Sequence, residues 1–181
     1  MTLDQARRFL KDAGVPDPAT DVRRLFEWAF TKGGAGQGDQ SRDAPNAQTM
    51  QLFDAAIQRR SHREPVSQII GGRDFWKGWF QVSADVLDPR PDTEILVETA
   101  LETPFSKILD LGTGSGCILI SLLCERLDAL GVGTDISIEA LKVAEANALY
   151  HNVSDRLTLR RADWYDGLDG RFDLIVSNPP Y

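Results

Sequence analysis

The stretch that most constrains this chain is Ile108-Leu109-Asp110-Leu111-Gly112-Thr113-Gly114-Ser115-Gly116, an apolar run that breaks into alternating glycines and resumes as Cys117-Ile118-Leu119-Ile120-Ser121-Leu122-Leu123. The pattern predicts a buried strand, a tight loop and a helix. Glycine at alternate positions opens backbone conformations closed to other residues and brings main-chain N–H groups close to a ligand, at the positive end of the following helix. Such a loop suits a nucleotide-like cofactor. A dinucleotide fingerprint, G-x-G-x-x-G/A, calls for Gly or Ala at position 117, where this chain has Cys117. Gly131-Val132-Gly133-Thr134-Asp135-Ile136 reads as the next strand. Its acid falls roughly 20 residues beyond the first glycine, where a carboxylate can take both ribose hydroxyls. That geometry serves NAD and S-adenosylmethionine alike.

The discriminating element is Phe172-Asp173-Leu174-Ile175-Val176-Ser177-Asn178-Pro179-Pro180-Tyr181, a strand that runs into two prolines. Each proline fixes φ, removes an N–H and keeps the residue before it out of the helical region, so Asn178 and the neighbouring carbonyls sit in a stiff extended turn. A planar –NH2 group can give its two hydrogens to the Asn178 side-chain oxygen and the Pro179 carbonyl, with the Tyr181 ring against its flat face. This stretch resembles the S-adenosylmethionine-dependent methyltransferases that methylate planar nitrogens through an Asn-Pro-Pro-Tyr motif. The resemblance implies that the loop at 112–116 and the turn at 178–181 meet at the carboxyl ends of neighbouring strands, where open α/β sheets bind ligands.

Composition narrows the partners. A net charge of −7 over 181 residues speaks against a surface built to hold a phosphate backbone, so direct nucleic-acid contact is not expected. With 42% hydrophobic and 26% charged residues the chain reads as an ordinary soluble protein. The polar start, Met1-Thr2-Leu3-Asp4-Gln5, and the lack of a long apolar run predict no signal peptide, no membrane span and a cytoplasmic location. Cys117 and Cys124, seven apart on one expected helix, would have α-carbons roughly 10 Å apart, beyond disulfide reach. Both are expected as buried small apolar residues in a reducing compartment. His62 and His151 form no metal-like arrangement and read as surface or capping residues; neither zinc nor a catalytic triad is expected.

The first 64 residues read as a small helical bundle. Thr2 with Gln5 fits a capping box, followed by Leu3, Ala6 and Leu10 at helical spacing. A second helix carries Val22, Leu25, Phe26 and Ala29 on one face, and Met50, Phe53 and Ile57 mark a third. Between them Thr31 to Pro45, with Gly33, Gly34, Gly36 and Gly38, reads as a flexible loop. The period changes over 65–90, where the apolar run 66–70 precedes Phe75-Trp76-Lys77-Gly78-Trp79-Phe80, and Phe80, Val82 and Ala84 alternate with polar residues. A connecting β-hairpin turning near Lys77-Gly78 is predicted. Then Asp88-Pro89-Arg90-Pro91-Asp92-Thr93-Glu94 leads into a helix that Asp92 or Thr93 can cap.

Taken together, the hairpin, Pro89-Arg90-Pro91-Asp92-Thr93-Glu94, Asp110-Leu111-Gly112-Thr113-Gly114-Ser115-Gly116 and Asn178-Pro179-Pro180-Tyr181 resemble the release factor N(5)-glutamine methyltransferase family of HemK/PrmC type. Asp88 departs slightly, standing where an apolar residue is expected. The resemblance implies an α/β protein: a helical substrate-recognition domain at 1–64, a connecting hairpin at 65–90, and at 91–181 the first part of a Rossmann-like methyltransferase domain. It implies S-adenosylmethionine as cofactor, no metal, and class 1 peptide chain release factors as protein substrate, methylated on the glutamine of their Gly-Gly-Gln loop by an enzyme that is a monomer at full length. Gly112, Thr113, Gly114, Ser115 and Gly116 would cradle the cofactor. Asp110 would meet its amino end or simply cap the glycine turn; Asp135 would chelate the ribose. Asp163 and Trp164, after the third strand, would take the adenine edge and face. Asn178, Pro179, Pro180 and Tyr181 form the expected catalytic corner, with Asn178 also beside the cofactor.

An amide nitrogen is a poor nucleophile because its lone pair is delocalised, so in-line methyl transfer has to be gained through positioning, worth about 7–11 kcal/mol against about 1–3 kcal/mol for one unmet buried hydrogen bond. A methyltransferase sheet of this kind has seven strands, and four end near 111, 136, 162 and 177. The chain is therefore expected to be part of a longer enzyme and a weak catalyst by itself. Two alternatives are an N(6)-adenine or N(4)-cytosine nucleic-acid methyltransferase, which shares the Asn-Pro-Pro-Tyr chemistry, and a truncated binding module without turnover.

Overall fold

The computed structural model of the chain describes residues 1–34 and 45–179. The chain divides into two compact units, Met1–Ile70 and Gly71–Tyr181.

The first unit is helical. Helix α1 (Leu3–Asp12) begins in the expected capping box, the Gln5 N–H donating to Thr2 Oγ1 at 3.2 Å and the Thr2 N–H to Gln5 Oε1 at 2.8 Å. Helix α2 (Pro18–Lys32) starts behind Asp17, whose carboxylate accepts from the Thr20 N–H at 3.2 Å, with proline at the first turn where no N–H is needed. Helix α3 (Ala47–Ser61) is capped by Asn46, which accepts from the Thr49 N–H and donates to the Gly33 carbonyl, both at 2.8 Å. Ala6, Leu10, Val22, Leu25, Phe53 and Ile57 are sealed between these helices. The run Val66–Ile70, placed by sequence in the hairpin segment, is instead a short helix, α4. Pro65 starts it, its carbonyl accepting from the N–H groups of Gln68 and Ile69, and Val66 and Ile69, three apart, turn into the helical core. Most of the glycine-rich loop expected over 31–45 lies outside the described residues, while Thr31 and Lys32 belong to α2.

The second unit opens with the hairpin, β1 (Gly72–Phe75) and β2 (Gly78–Gln81). Its two-residue turn is Trp76-Lys77, one position earlier than the glycine suggested. Gly78 is needed inside the strand: a Cβ there would stand 2.5 Å from the His151 ring. Trp76 takes the left-handed turn position instead, at φ 54°, anchored by its N–H on Glu94 Oε1 (2.8 Å) and its indole N–H on Glu125 Oε1 (2.9 Å). After a 3-10 turn at Pro91–Thr93 come α5 (Glu94–Glu102), β3 (Lys107–Leu111), α6 (Cys117–Glu125), β4 (Leu130–Asp135), α7 (Ile138–Tyr150), β5 (Leu157–Arg161) and β6 (Leu174–Ser177).

The four strands β3 to β6 form a parallel sheet in the order β5-β4-β3-β6. Helix α6 is apolar nearly all round, and residues 117–123 are buried. It lies so close to β4 that a Cβ on Gly131 would come within 2.9 Å of Leu119 and 3.0 Å of Leu123. Cys117 is buried as expected, but Cys124 is exposed, because it falls in the last turn of α6, past the part enclosed by the core. No helix among the described residues is long and apolar enough to cross a membrane.

Candidate active site

The strand order reverses at β3, with β4 on one side and β6 on the other, and ligands bind in open α/β sheets at such a reversal, beyond the carboxyl ends of the strands. Register makes the placement concrete. Leu111 pairs with Thr134 on one side and Ser177 on the other. The residues that follow at the same level are therefore Asp135, Gly112 and Asn178, on strands about 4.8 Å apart. Ser177 reinforces this edge, its hydroxyl donating to the Leu111 carbonyl at 2.8 Å.

These residues line a cleft of about 380 Å³ with Asp85, Val86, Leu87, Gly114, Ile136, Ala140, Ala162, Asp163, Trp164 and Pro179. Gly112 and Gly114 have φ of 69° and 55°, the left-handed region that favours glycine, and a Cβ built on either meets nothing within 4 Å. Gly116 serves packing: a Cβ there would lie 2.8 Å from Ile120 and 3.2 Å from Ala144, so its absence lets α6 and α7 close together. Thr113 and Ser115, expected in the cradle, are buried, the Thr113 N–H donating to the Thr134 carbonyl at 2.8 Å.

Asp110 lies fully buried beneath the loop. One of its oxygens accepts from the Thr113 hydroxyl at 2.8 Å, and the other has no hydrogen-bond partner among the described residues. Burial pushes its carboxyl up to about 7; the Thr113 hydroxyl pulls against that shift, and the charge of Asp135 adds to it. Asp135 is half-buried at the cleft, and its two oxygens accept from the Gly114 N–H (2.9 Å) and the Ser137 N–H (3.0 Å). A carboxylate offers about four lone-pair sites, so these two bonds orient Asp135 and leave it able to accept from a diol. Asp163 and Trp164 are exposed at the rim. The Trp164 backbone is held at φ 55° with its carbonyl accepting from the buried Thr134 hydroxyl at 3.0 Å.

The Asn178 side chain donates to Thr93 Oγ1 at 3.0 Å, which directs the amide oxygen away from Thr93. Of Asp92 and Thr93, the two residues expected to cap α5, the structure places Thr93 there. It occupies the cap position without a side-chain capping bond, and its hydroxyl serves Asn178 instead. Pro180 and Tyr181 of the expected corner lie outside the described residues. Sequence reasoning also missed Asn147, fully buried on α7, although a polar residue on a face otherwise made of Ala140, Ala144 and Ala148 was a visible signal. His62 and His151 are the C-cap residues of α3 and α7, as expected. The His151 ring additionally stacks on Phe80 at 4.4 Å and reaches the Trp79 carbonyl at 3.0 Å.

The cleft fits a nucleoside cofactor bearing positive charge. Open space over two glycines leaves room for a ligand against the backbone, the oriented carboxylate of Asp135 keeps lone pairs for a donor, and Asp85, Asp135 and Asp163 place negative charge around the cleft.

Comparison with known proteins agrees with this geometry. The family model described as the methyltransferase small domain matches residues 79–181, and the one described as the PrmC N-terminal domain matches residues 2–71. The chain is 46% identical over 172 residues to a release factor glutamine methyltransferase of Cereibacter sphaeroides, covering 95% of this chain and 62% of that protein. It is 45% identical over 184 residues to one of Rhodospirillum rubrum, covering 99% of this chain and 56% of that protein. The chain thus spans less than two thirds of the length of these relatives. Among solved structures, the Pyrococcus abyssi tRNA (uracil-54, C5)-methyltransferase in complex with S-adenosyl-L-homocysteine shares the fold, with a TM-score of 0.51 and 20% identity over 60% of this chain and 28% of that one. With a PrmC N-terminal domain followed by a methyltransferase small domain, the chain belongs to the release factor glutamine methyltransferase family of PrmC type.

Proposed function

We propose that this chain carries the cofactor site and the amide-binding corner of an S-adenosylmethionine-dependent methyltransferase, whose acceptor is the side-chain amide of the glutamine in the Gly-Gly-Gln motif of peptide chain release factors. The observation that carries the reading is the level row Asp135, Gly112, Asn178 at the point where the strand order reverses. S-adenosylmethionine, when bound, supplies a methyl group made electrophilic by its sulfonium. Gly112 and Gly114 give it room, Asp135 accepts from its ribose, and Asp163 and Trp164 stand at the rim for its base. The Asn178 oxygen and the Pro179 carbonyl accept the two hydrogens of a flat –NH2 group. Thr93 stops the Asn178 amide from rotating, so the acceptor is aimed before substrate arrives. Orientation of this kind is the large term available to a weak nucleophile, about 7–11 kcal/mol. The helical unit is assigned the grip on the release factor.

The test is transfer of labelled methyl from S-adenosylmethionine to an intact release factor, beside the same factor with its loop glutamine replaced by alanine. Label should enter the first and not the second. Asn178→Ala should lose most of the transfer, about 100-fold, while affinity for S-adenosylhomocysteine falls only a few-fold, since the lost group orients the acceptor. Label appearing in DNA and not in the release factor would overturn the substrate assignment.

A further inference from the structure

Asn147 has its side-chain oxygen and its amide nitrogen both engaged, in three hydrogen bonds, yet it is not among the residues that line the cleft. It is completely buried on α7 and joins three separate pieces of chain. Its Oδ1 accepts from the Gln81 N–H at 2.7 Å, and its Nδ2 donates to the Gln81 carbonyl at 3.0 Å and to the Ser115 carbonyl at 2.8 Å. Ser115 belongs to the glycine loop, one residue after Gly114. Gln81 closes β2, the strand from which the chain runs directly into 82–87, where Asp85, Val86 and Leu87 line the cleft.

One primary amide therefore holds two walls of the cleft in register. It reads both backbone groups of Gln81, so that residue cannot slip or rotate relative to α7, and its second N–H takes the loop carbonyl on the far side. The wall is further seated where Val82 and Val86 pack against Ala140 and Val143 of α7. Bonds made by a fully buried amide with both hydrogens and its oxygen engaged are not readily exchanged for water. We propose that Asn147 is a positioning residue for cofactor binding: it fixes the distance between the glycine loop and the 82–87 wall, and so sets cofactor affinity without touching the ligand or the amide corner. The proposal rests on the reading of the cleft as the S-adenosylmethionine site.

Cofactor affinity and turnover come apart here. The Asn178–Thr93 pair shares no partner with Asn147, so loosening the walls should weaken cofactor binding while leaving the rate at saturating cofactor largely intact. Asn147→Ala removes all three bonds. Asn147→Asp keeps the acceptor for the Gln81 N–H but sets an oxygen against two carbonyl oxygens. The control is Val153→Ala, a buried change just beyond α7 in the same core, which lowers stability without touching either wall.

Calorimetric titration with S-adenosylhomocysteine should give a Kd at least 10-fold weaker for both Asn147 variants and within 2-fold of wild type for Val153→Ala, with kcat at saturating S-adenosylmethionine within about 3-fold of wild type for all. Asn147 variants that bind like Val153→Ala, or that lose kcat with Kd unchanged, would overturn the assignment. A wild-type chain that fails to bind S-adenosylhomocysteine would overturn the cofactor reading itself, a distinguishable result. Should the variants fail to fold, hydrogen exchange on the wild type decides: the Gln81 amide, which donates to Asn147, should slow at least 5-fold on adding S-adenosylhomocysteine together with the amides of 83–87. No slowing at Gln81 would overturn the proposal.

Discussion

Replacing Asp110 by asparagine should flatten the dependence of stability on pH, by an amount that follows from its surroundings. The carboxyl is fully buried with one hydroxyl bond, and burial holds it at about 7, whereas a carboxyl in an unfolded chain titrates near 3.9. Over the window from about pH 4 to pH 7 the folded chain keeps a proton that the unfolded chain has released. The folded state binds more protons there, so stability falls as pH rises through the window, and the contribution is complete only below the unfolded value. About 3 units at 1.36 kcal/mol each give a loss on the order of 4 kcal/mol between pH 4 and pH 8. Asparagine imitates the protonated carboxyl and cannot ionise. Whatever fixed cost its extra N–H carries is the same at every pH, so the quantity to compare is the slope. Carboxylates held low by their partners, among them Glu125 through Lys77 and Trp76, act at the acid end in both proteins and cancel. Urea unfolding at one-unit steps from pH 4 to pH 8, followed by tryptophan fluorescence, should show wild type losing several kcal/mol relative to Asp110→Asn. Parallel curves across that range would refute the burial argument.

Three further outcomes are expected. Gly114→Ala places a methyl in the open cleft at φ 55°, so about 1–2 kcal/mol of stability should be lost and S-adenosylhomocysteine binding weakened more than 10-fold; a melting shift with unchanged binding would contradict the cradle. Thr93→Val removes the acceptor for Asn178 and should lower kcat about 10-fold with cofactor affinity unchanged, corresponding to a hydrogen bond of about 1.5 kcal/mol; a change in affinity alone would place Thr93 elsewhere in the cycle. Ellman's reagent should titrate one thiol in the native chain, the exposed Cys124, and two after unfolding, because burial pushes the Cys117 thiol up to about 12; two rapid native thiols would refute this.

The helices and strands were legible where the chain carries its own periodicity: the capping box at Thr2 and Gln5, the apolar faces of α1 to α3, and the four strands of the parallel sheet. Errors arose where one residue type answers to two demands. Gly78 looked like the hairpin turn and is a packing glycine against His151; Thr93 stands at the helix cap as one of two candidates, but its hydroxyl serves Asn178 and not the helix; Val66–Ile70 was placed in the hairpin segment and is a helix that Pro65 starts over the helical core. In each case local preference amounts to about a kilocalorie per mole or less, and a tertiary contact outweighed it.

The amino-acid order by itself determined the alternation of strand and helix, the glycine break after β3 and the proline-locked end of β6, because steric limits on φ and the period of apolar residues act within a few positions. Tertiary structure alone decided which distant groups serve one another. Thr93 and Asn178 are 85 residues apart, and Asn147 and Gln81 are 66 apart. A hydrogen bond of that span leaves no periodic trace in the sequence: its partners are chosen by strand register and by the closeness with which α7 and the hairpin pack, and both exist only once the core has closed.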